Sequence, residues 1–235
     1  RWGARYHRID EHDGRHDPGV AIMTGLSMLD TDLYQLLGDD DVLLPHAIST
    51  CLSLVDEGAD VVSTSFWRAD ENLVPTREIV LPQPLLGDLV RGYSTVCDGS
   101  VLRTDAVQGF ELDASLRDVM LLPLWVQLML DGRTFSVTPY PTWIYRRHGD
   151  NISGRITDEQ RAARAQLITR LQDLVIERYG ELPPSPRHEA KLKREADRRK
   201  REEAAALKAT TPREPEPAAS LAFRARRRLA RILEP

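Results

Sequence analysis

Residues 33–45 read LYQLLGDDDVLLP: an apolar run stops at Gly38, three carboxylates follow (Asp39, Asp40 and Asp41), and a second apolar run leads to Pro45. Two unit charges about 4 Å apart repel by roughly 4 kcal/mol at an effective dielectric near 20, so stability alone does not favour the triplet. Bulk water or a positive partner must face it. In open α/β sheets, ligands bind beyond the carboxyl ends of the strands, and the triplet directly follows a run with the length of a buried strand. Carboxylates there suit a hard divalent cation, Mg²⁺ or Mn²⁺, bound through one or two side chains and completed by phosphate oxygens. The plainer alternative is a solvated acidic turn that caps the next helix at its positive end.

Other constellations are weaker. His7, His12 and His16 share residues 7–17 with Asp10, Glu11, Asp13 and Asp17. A transition-metal site of a hydrolase is one reading, because His12 and His16 stand at i,i+4. Gly14, Pro18 and Gly19 oppose a helix there, which favours a solvated loop. Trp125 and Trp143 could face a sugar ring, although a place in the core is the simpler role for both. No Ser/His/Asp or Cys/His triad and no G-x-x-x-x-G-K phosphate loop is legible.

The elements that must position the triplet alternate between strand and helix. "ARYHRI" (4–9) reads as a strand, 20–29 as a helix with Ile22, Leu26 and Leu29 on one face, and 33–37 as a buried strand. A helix over 45–58 opens on Pro45 and stops at Gly58, and "DVVSTSF" (60–66) is a β-branched strand. Residues 67–115 are irregular, and 116–131 form a helix whose Pro123 kinks it or marks its first turn. Residues 134–153 form a strand or hairpin running into a polar loop. Thr157 and Gln160 make a capping box for a helix with Leu167, Ile168, Leu171, Leu174 and Val175 on one face, ended by Gly180. This order implies an α/β fold with a sheet that is at least partly parallel.

At 235 residues, with 41% hydrophobic and 6% aromatic content, the chain can bury an ordinary core. Residues 184–235 hold 15 Lys and Arg against 8 Asp and Glu, which leaves 17 against 28 for residues 1–183. An acidic body thus carries a basic tail suited to a negatively charged surface. The expected division is a body over 1–182, a charged helix over 183–208, a Pro-rich linker over 209–219 and a basic amphipathic helix over 220–235. In the last, Leu221, Ala222, Ala225, Leu229, Ile232 and Leu233 share an arc of about 120° that excludes all five arginines. An anionic membrane surface is the favoured partner, ahead of nucleic acid or a disordered role. Cys51 and Cys97 lack metal-type spacing, and a reducing compartment is the default. No signal peptide or apolar run of about 18 residues occurs. The start at Arg1, without Met and inside what reads as structure, points to upstream residues.

Taken in order, four pieces resemble family 2 glycosyltransferases of the GT-A fold. They are "GVAIMTGLSMLDTDLYQLLGDDDVLLP", "AISTCLSLVDEGADVVSTSF", "GSVLRTDAVQGFELDASLRDVMLLPLWVQLMLDG" and "PYPTWIYRRHGDNIS", spanning roughly residues 5–155. The resemblance implies a GT-A-like (Rossmann-like) mixed sheet flanked by helices. It implies an inverting, metal-dependent transfer of a sugar from a nucleotide-diphosphate donor to a glycan or lipid-linked acceptor. With Pro45 as the ruler, Asp39 falls where the family binds the nucleotide ribose, Asp40 where it binds Mn²⁺ or Mg²⁺, and Asp41 becomes a supporting carboxylate. His148 matches a position near the diphosphate or metal. The family's first strand–helix–strand is absent, and Ile22 and Met23 replace an Arg-Asn pair that many members carry. Leu121 or Leu122 stands where the family's catalytic acid precedes "LW", so Asp118 is the nearest candidate base, with Asp113 and Glu111 behind it. A cytoplasmic enzyme at the inner face of the membrane follows, with envelope polysaccharide or a lipid-linked glycan as acceptor. A non-catalytic sugar-nucleotide or glycan-binding relative is the alternative, and a scaffold that recruits partners through its tail is a third.

Overall fold

The computed structural model describes residues 18–93, 95–97, 99–111, 120–149, 151 and 156–210. The strand expected at 4–9, the histidine-rich stretch, Asp113, Asp118 and the segment 220–233 lie outside the described residues. The chain divides into two compact units, Arg1–His188 and Glu189–Pro235.

In the first unit the strands are β1 (Leu33–Gln35), β2 (Val42–Leu43), β3 (Val61–Ser63), β4 (Phe66–Ala69), β5 (Pro75–Ile79), β6 (Val101–Arg103), β7 (Phe135–Val137) and β8 (Trp143–Arg146). The helices are α1 (Pro18–Ser27), α2 (Ala47–Asp56), α3 (Leu86–Leu89), α4 (Leu122–Leu130), α5 (Asp158–Tyr179) and the start of α6 (Pro186–Thr210). Two mixed four-stranded sheets result, ordered β1-β6-β3-β7 and β2-β8-β4-β5. Helices flank them, so the class is α/β.

The first sheet is two-faced at strict period 2. Val61, Leu102 and Tyr34 join the core built by α4 and α5, through Leu124, Trp125, Leu128, Leu167, Leu171 and Val175. Their sequence neighbours Val62, Val101 and Leu33 turn the other way, onto Cys51 and Val55 of α2. Each such side chain, fully buried, contributes about 1.5–3 kcal/mol. Burial and the nearby charge of Cys97 push the Cys51 thiol up to about 11, which keeps it protonated at neutral pH. The α4 helix keeps Pro123 in its first turn, where no N–H is needed. The Thr157–Gln160 capping box and the left-handed Gly180 both bound α5.

Several expected elements differ. β1 is half-buried and pairs antiparallel with β6 rather than lying as a buried strand. α2 starts at Ala47, two residues past Pro45. The strand expected over 60–66 divides at Thr64–Ser65 into β3 and β4, one in each sheet. Among the described residues of 134–153, expected to be a strand or hairpin, β7 and β8 do not pair with each other. β7 runs parallel to β3 and β8 runs parallel to β4, so this segment also passes from one sheet to the other. Between the paired residues Ser63/Val137 and Phe66/Trp143 lie two residues on one strand (64–65) and five on the other (138–142). The three excess residues, Pro139, Tyr140 and Pro141, bulge over the start of α2, where the Pro141 carbonyl lies 3.0 Å from His46 Nε2. Residues 67–115 also contain a hairpin, β4–β5, that their prolines concealed.

Asp60 fastens the starts of β3 and β7 to the end of β6. Its N–H donates to the Thr134 carbonyl, its carbonyl accepts from Arg103 N–H, and its carboxylate accepts from Thr134 N–H at 2.8 Å. Arg133 and Arg103 approach the carboxylate at 3.4 and 3.6 Å. Burial raises its pKa, but the Thr134 hydrogen bonds and the Arg133 charge outweigh burial and hold it below the ordinary carboxylate value.

In the second unit, α6 continues to Thr210, two residues into the expected linker, with nearly every described residue exposed. An i,i+4 pair, Arg198 with Glu202 at 3.6 Å, is too exposed to add more than a few tenths of a kcal/mol.

Asp60→Asn should lower stability at pH 7 by about 1–2 kcal/mol in urea unfolding. Because the folded-state pKa is depressed, that contribution is complete above the unfolded value near 3.9 and fades as pH falls through the lower folded value. The gap between wild type and variant should therefore be flat from pH 5 to 8 and close below about pH 4. A gap that grew on acidification would contradict the assignment.

Candidate functional site

β1 delivers the chain to Gly38, and a tight turn with Asp41 N–H on the Gly38 carbonyl (3.2 Å) carries it into β2. The three carboxylates leave this turn in different directions. Asp39 is exposed to water, while Asp40 and Asp41 are half-buried. Asp41 Oδ1 accepts the backbone N–H of Arg146 on β8 at 3.0 Å. Asp40 Oδ2 lies 2.7 Å from His148 Nε2, a contact across 108 residues of sequence, with side-chain exposures of 25% for His148 and 30% for Asp40. Asn151 Nδ2 donates to the same oxygen at 3.3 Å. The remaining oxygens, Asp40 Oδ1 and Asp41 Oδ2, fall 3.0 and 3.1 Å from where a Cβ at Gly38 would stand. A side chain at 38 would force both carboxylates to move.

The triplet is therefore not simply an acidic cap. The N-cap of α2 is His46, and it makes no side-chain capping hydrogen bond. The like-charge problem is met by water at Asp39, by an imidazole and an amide at Asp40, and by a backbone amide at Asp41.

The other candidates fall in different places. Asp118 is outside the described residues, and Glu111 is exposed. Leu121 and Leu122 are buried in the main core. Trp125 and Trp143 are 5% and 4% exposed, so both are core residues and neither offers a face to a sugar. Ile22 packs on the core. Ser185, Asp88 and His188 do come together, but as a helix cap: Ser185 Oγ donates to Asp88 Oδ1 at 2.5 Å and accepts His188 N–H at 3.1 Å, while the imidazole faces Tyr93. A groove of about 430 Å³ between Phe66, Ile79, Val96 and Arg187 is bordered by none of the three aspartates. Among the described residues, no three His, Cys, Asp or Glu side chains form a group able to hold a metal alone.

Asn151 was missed in the sequence. It stands three residues after His148 in a polar run, and nothing in its type marks it out from Asp150 or Ser153. Only the return of the chain to Asp40 does.

A double-mutant cycle on Asp40→Asn and His148→Ala, unfolded by urea in EDTA, should give a coupling of about 0.5–1 kcal/mol, as expected for a partly exposed pair. Additive effects would mean that the contact contributes nothing. No known protein-family model matches this sequence, and no curated protein matches it either.

Proposed function

We propose that this chain is an inverting, metal-dependent glycosyltransferase of the GT-A-like type, related to family 2 and of the hexosyltransferase kind. It moves a sugar from a nucleotide-diphosphate donor to a glycan or lipid-linked acceptor. The observation that carries the reading is the Asp40–His148 contact. The resemblance assigns these residues to one donor site from two separate pieces of sequence, and a chance likeness gives no reason for them to meet.

Asp39, exposed at the turn, binds the nucleotide ribose, and His148 lies against the diphosphate. The carboxylates fit a hard cation. Asp40 and Asp41 each turn one oxygen toward Gly38, and phosphate oxygens and water would complete a donor set there. Asp40 and Asp41 would hold Mn²⁺ or Mg²⁺, which when bound supplies charge neutralisation to the leaving diphosphate. Asp118 takes the acceptor hydroxyl proton as that oxygen bonds to the anomeric carbon and the bond to the diphosphate breaks. The basic segment 220–233 would hold the enzyme at the inner face of a membrane. Among the described residues, no helix is long and apolar enough to cross one.

A second reading has its own observation. Leu121 and Leu122, buried where the family carries its acid, leave that position with no titratable group. A non-catalytic sugar-nucleotide-binding relative would look the same there.

Calorimetry with UDP, GDP and dTDP, with and without Mn²⁺, tests both. Mn²⁺-dependent binding that falls at least tenfold in Asp40→Asn is expected, and nucleotide release from the matching sugar nucleotide separates enzyme from binder. Binding that ignores both Mn²⁺ and Asp40→Asn would remove the proposal.

A further inference from the structure

Asn151 is 8% exposed and makes four polar contacts. Its Oδ1 accepts His148 N–H at 2.6 Å, and its Nδ2 donates to Asp40 Oδ2 at 3.3 Å and to the Arg146 carbonyl at 3.1 Å. Its own N–H points to the His148 carbonyl at 3.4 Å. The three side-chain partners are one donor and two acceptors, so the amide orientation is fixed: oxygen toward His148, nitrogen toward Asp40 and Arg146. Only a primary amide offers one acceptor and two donors at this reach; Asp offers acceptors alone, and Ser a single hydroxyl.

We propose that Asn151 is a positioning residue of the donor site. Together with His148 it occupies Oδ2 of Asp40, which leaves Oδ1, without a hydrogen bond among the described residues, as the oxygen turned toward Gly38 and the ligand. The same amide folds the His148 backbone against β8, so one buried side chain sets both the histidine and the carboxylate. The role rests on the donor-site reading above and extends it to a residue that touches neither sugar nor metal. Partners that orient a metal-binding carboxylate typically change metal affinity by 10–100-fold when removed.

The test uses the full chain as wild type, Asp40→Asn, Asn151→Ala and Asn151→Asp, with Asn151→Ser in place of any variant whose circular dichroism is not native. Two quantities are measured: Mn²⁺ affinity in the presence of UDP, GDP or dTDP, and hydrogen exchange at the His148 amide. The expected result is Mn²⁺ binding at least tenfold weaker in the Asn151 variants, with faster exchange at His148. Affinity within twofold of wild type, or unchanged exchange at His148, overturns the positioning role while Asp40→Asn still loses binding. Wild type and Asp40→Asn behaving alike removes the donor-site reading, and this role with it.

Discussion

Ser65 is the residue through which the two sheets hold a common register. Its N–H donates to Thr138 Oγ1 at 2.8 Å, its hydroxyl donates to the Thr138 carbonyl at 2.9 Å, and its carbonyl accepts Thr142 N–H at 2.9 Å. All three residues are fully buried. A buried polar group left without its partner costs about 1–3 kcal/mol, so a shift of either strand would be penalised at several points together. This junction fixes β8 against β4, and β8 carries Arg146 to Asp41 and leads to His148 and Asp40. The geometry of the carboxylates thus begins at a serine that touches none of them.

The junction also explains what the sequence could and could not tell. Elements governed by local chemistry were legible: the capping box at Thr157, the stop at Gly180 and most of the apolar face of α5 follow from spacing within a few residues, although Leu174, expected on that face, is exposed. The polar Ser63-Thr64-Ser65 run at the junction of β3 and β4 read as the continuation of one strand, because hydroxyl residues suit a strand wherever they find partners. Those partners lie 32 residues away for Ser63, 33 for Thr64 and 73 for Ser65. Likewise the Pro-Tyr-Pro stretch carries the signals of a hairpin turn, and only its partner strand reveals it as an excess loop within a parallel pairing. The half-burial of β1 could not be read either, since an apolar run has the same composition at an edge as in the centre.

At the site, the aspartates were legible because three adjacent charges demand an explanation. His148 was legible only through its likeness to a family pattern. Asn151 had no signal, because its importance is a matter of hydrogen-bond count and direction, which a one-letter code does not carry. The structure then shows how close carboxylates coexist: each is given a different partner chemistry, and Gly38 leaves room between two of them.

The separation of Asp40 from His148 has a kinetic side. Closing a loop of 108 residues costs about 4 kcal/mol of chain entropy on the simplest polymer estimate, far more than a half-exposed Asp–His pair returns. The contact cannot form until β2 has found β8 and the β-strand crossover is in place. The carboxylate turn is thus among the last features to assemble as the chain collapses, and among the first to be lost when the second sheet frays. A chain that has emerged from the ribosome past residue 41 but not yet to 151, or one clipped between these positions, would carry all three aspartates and yet present them as an unguided patch of negative charge.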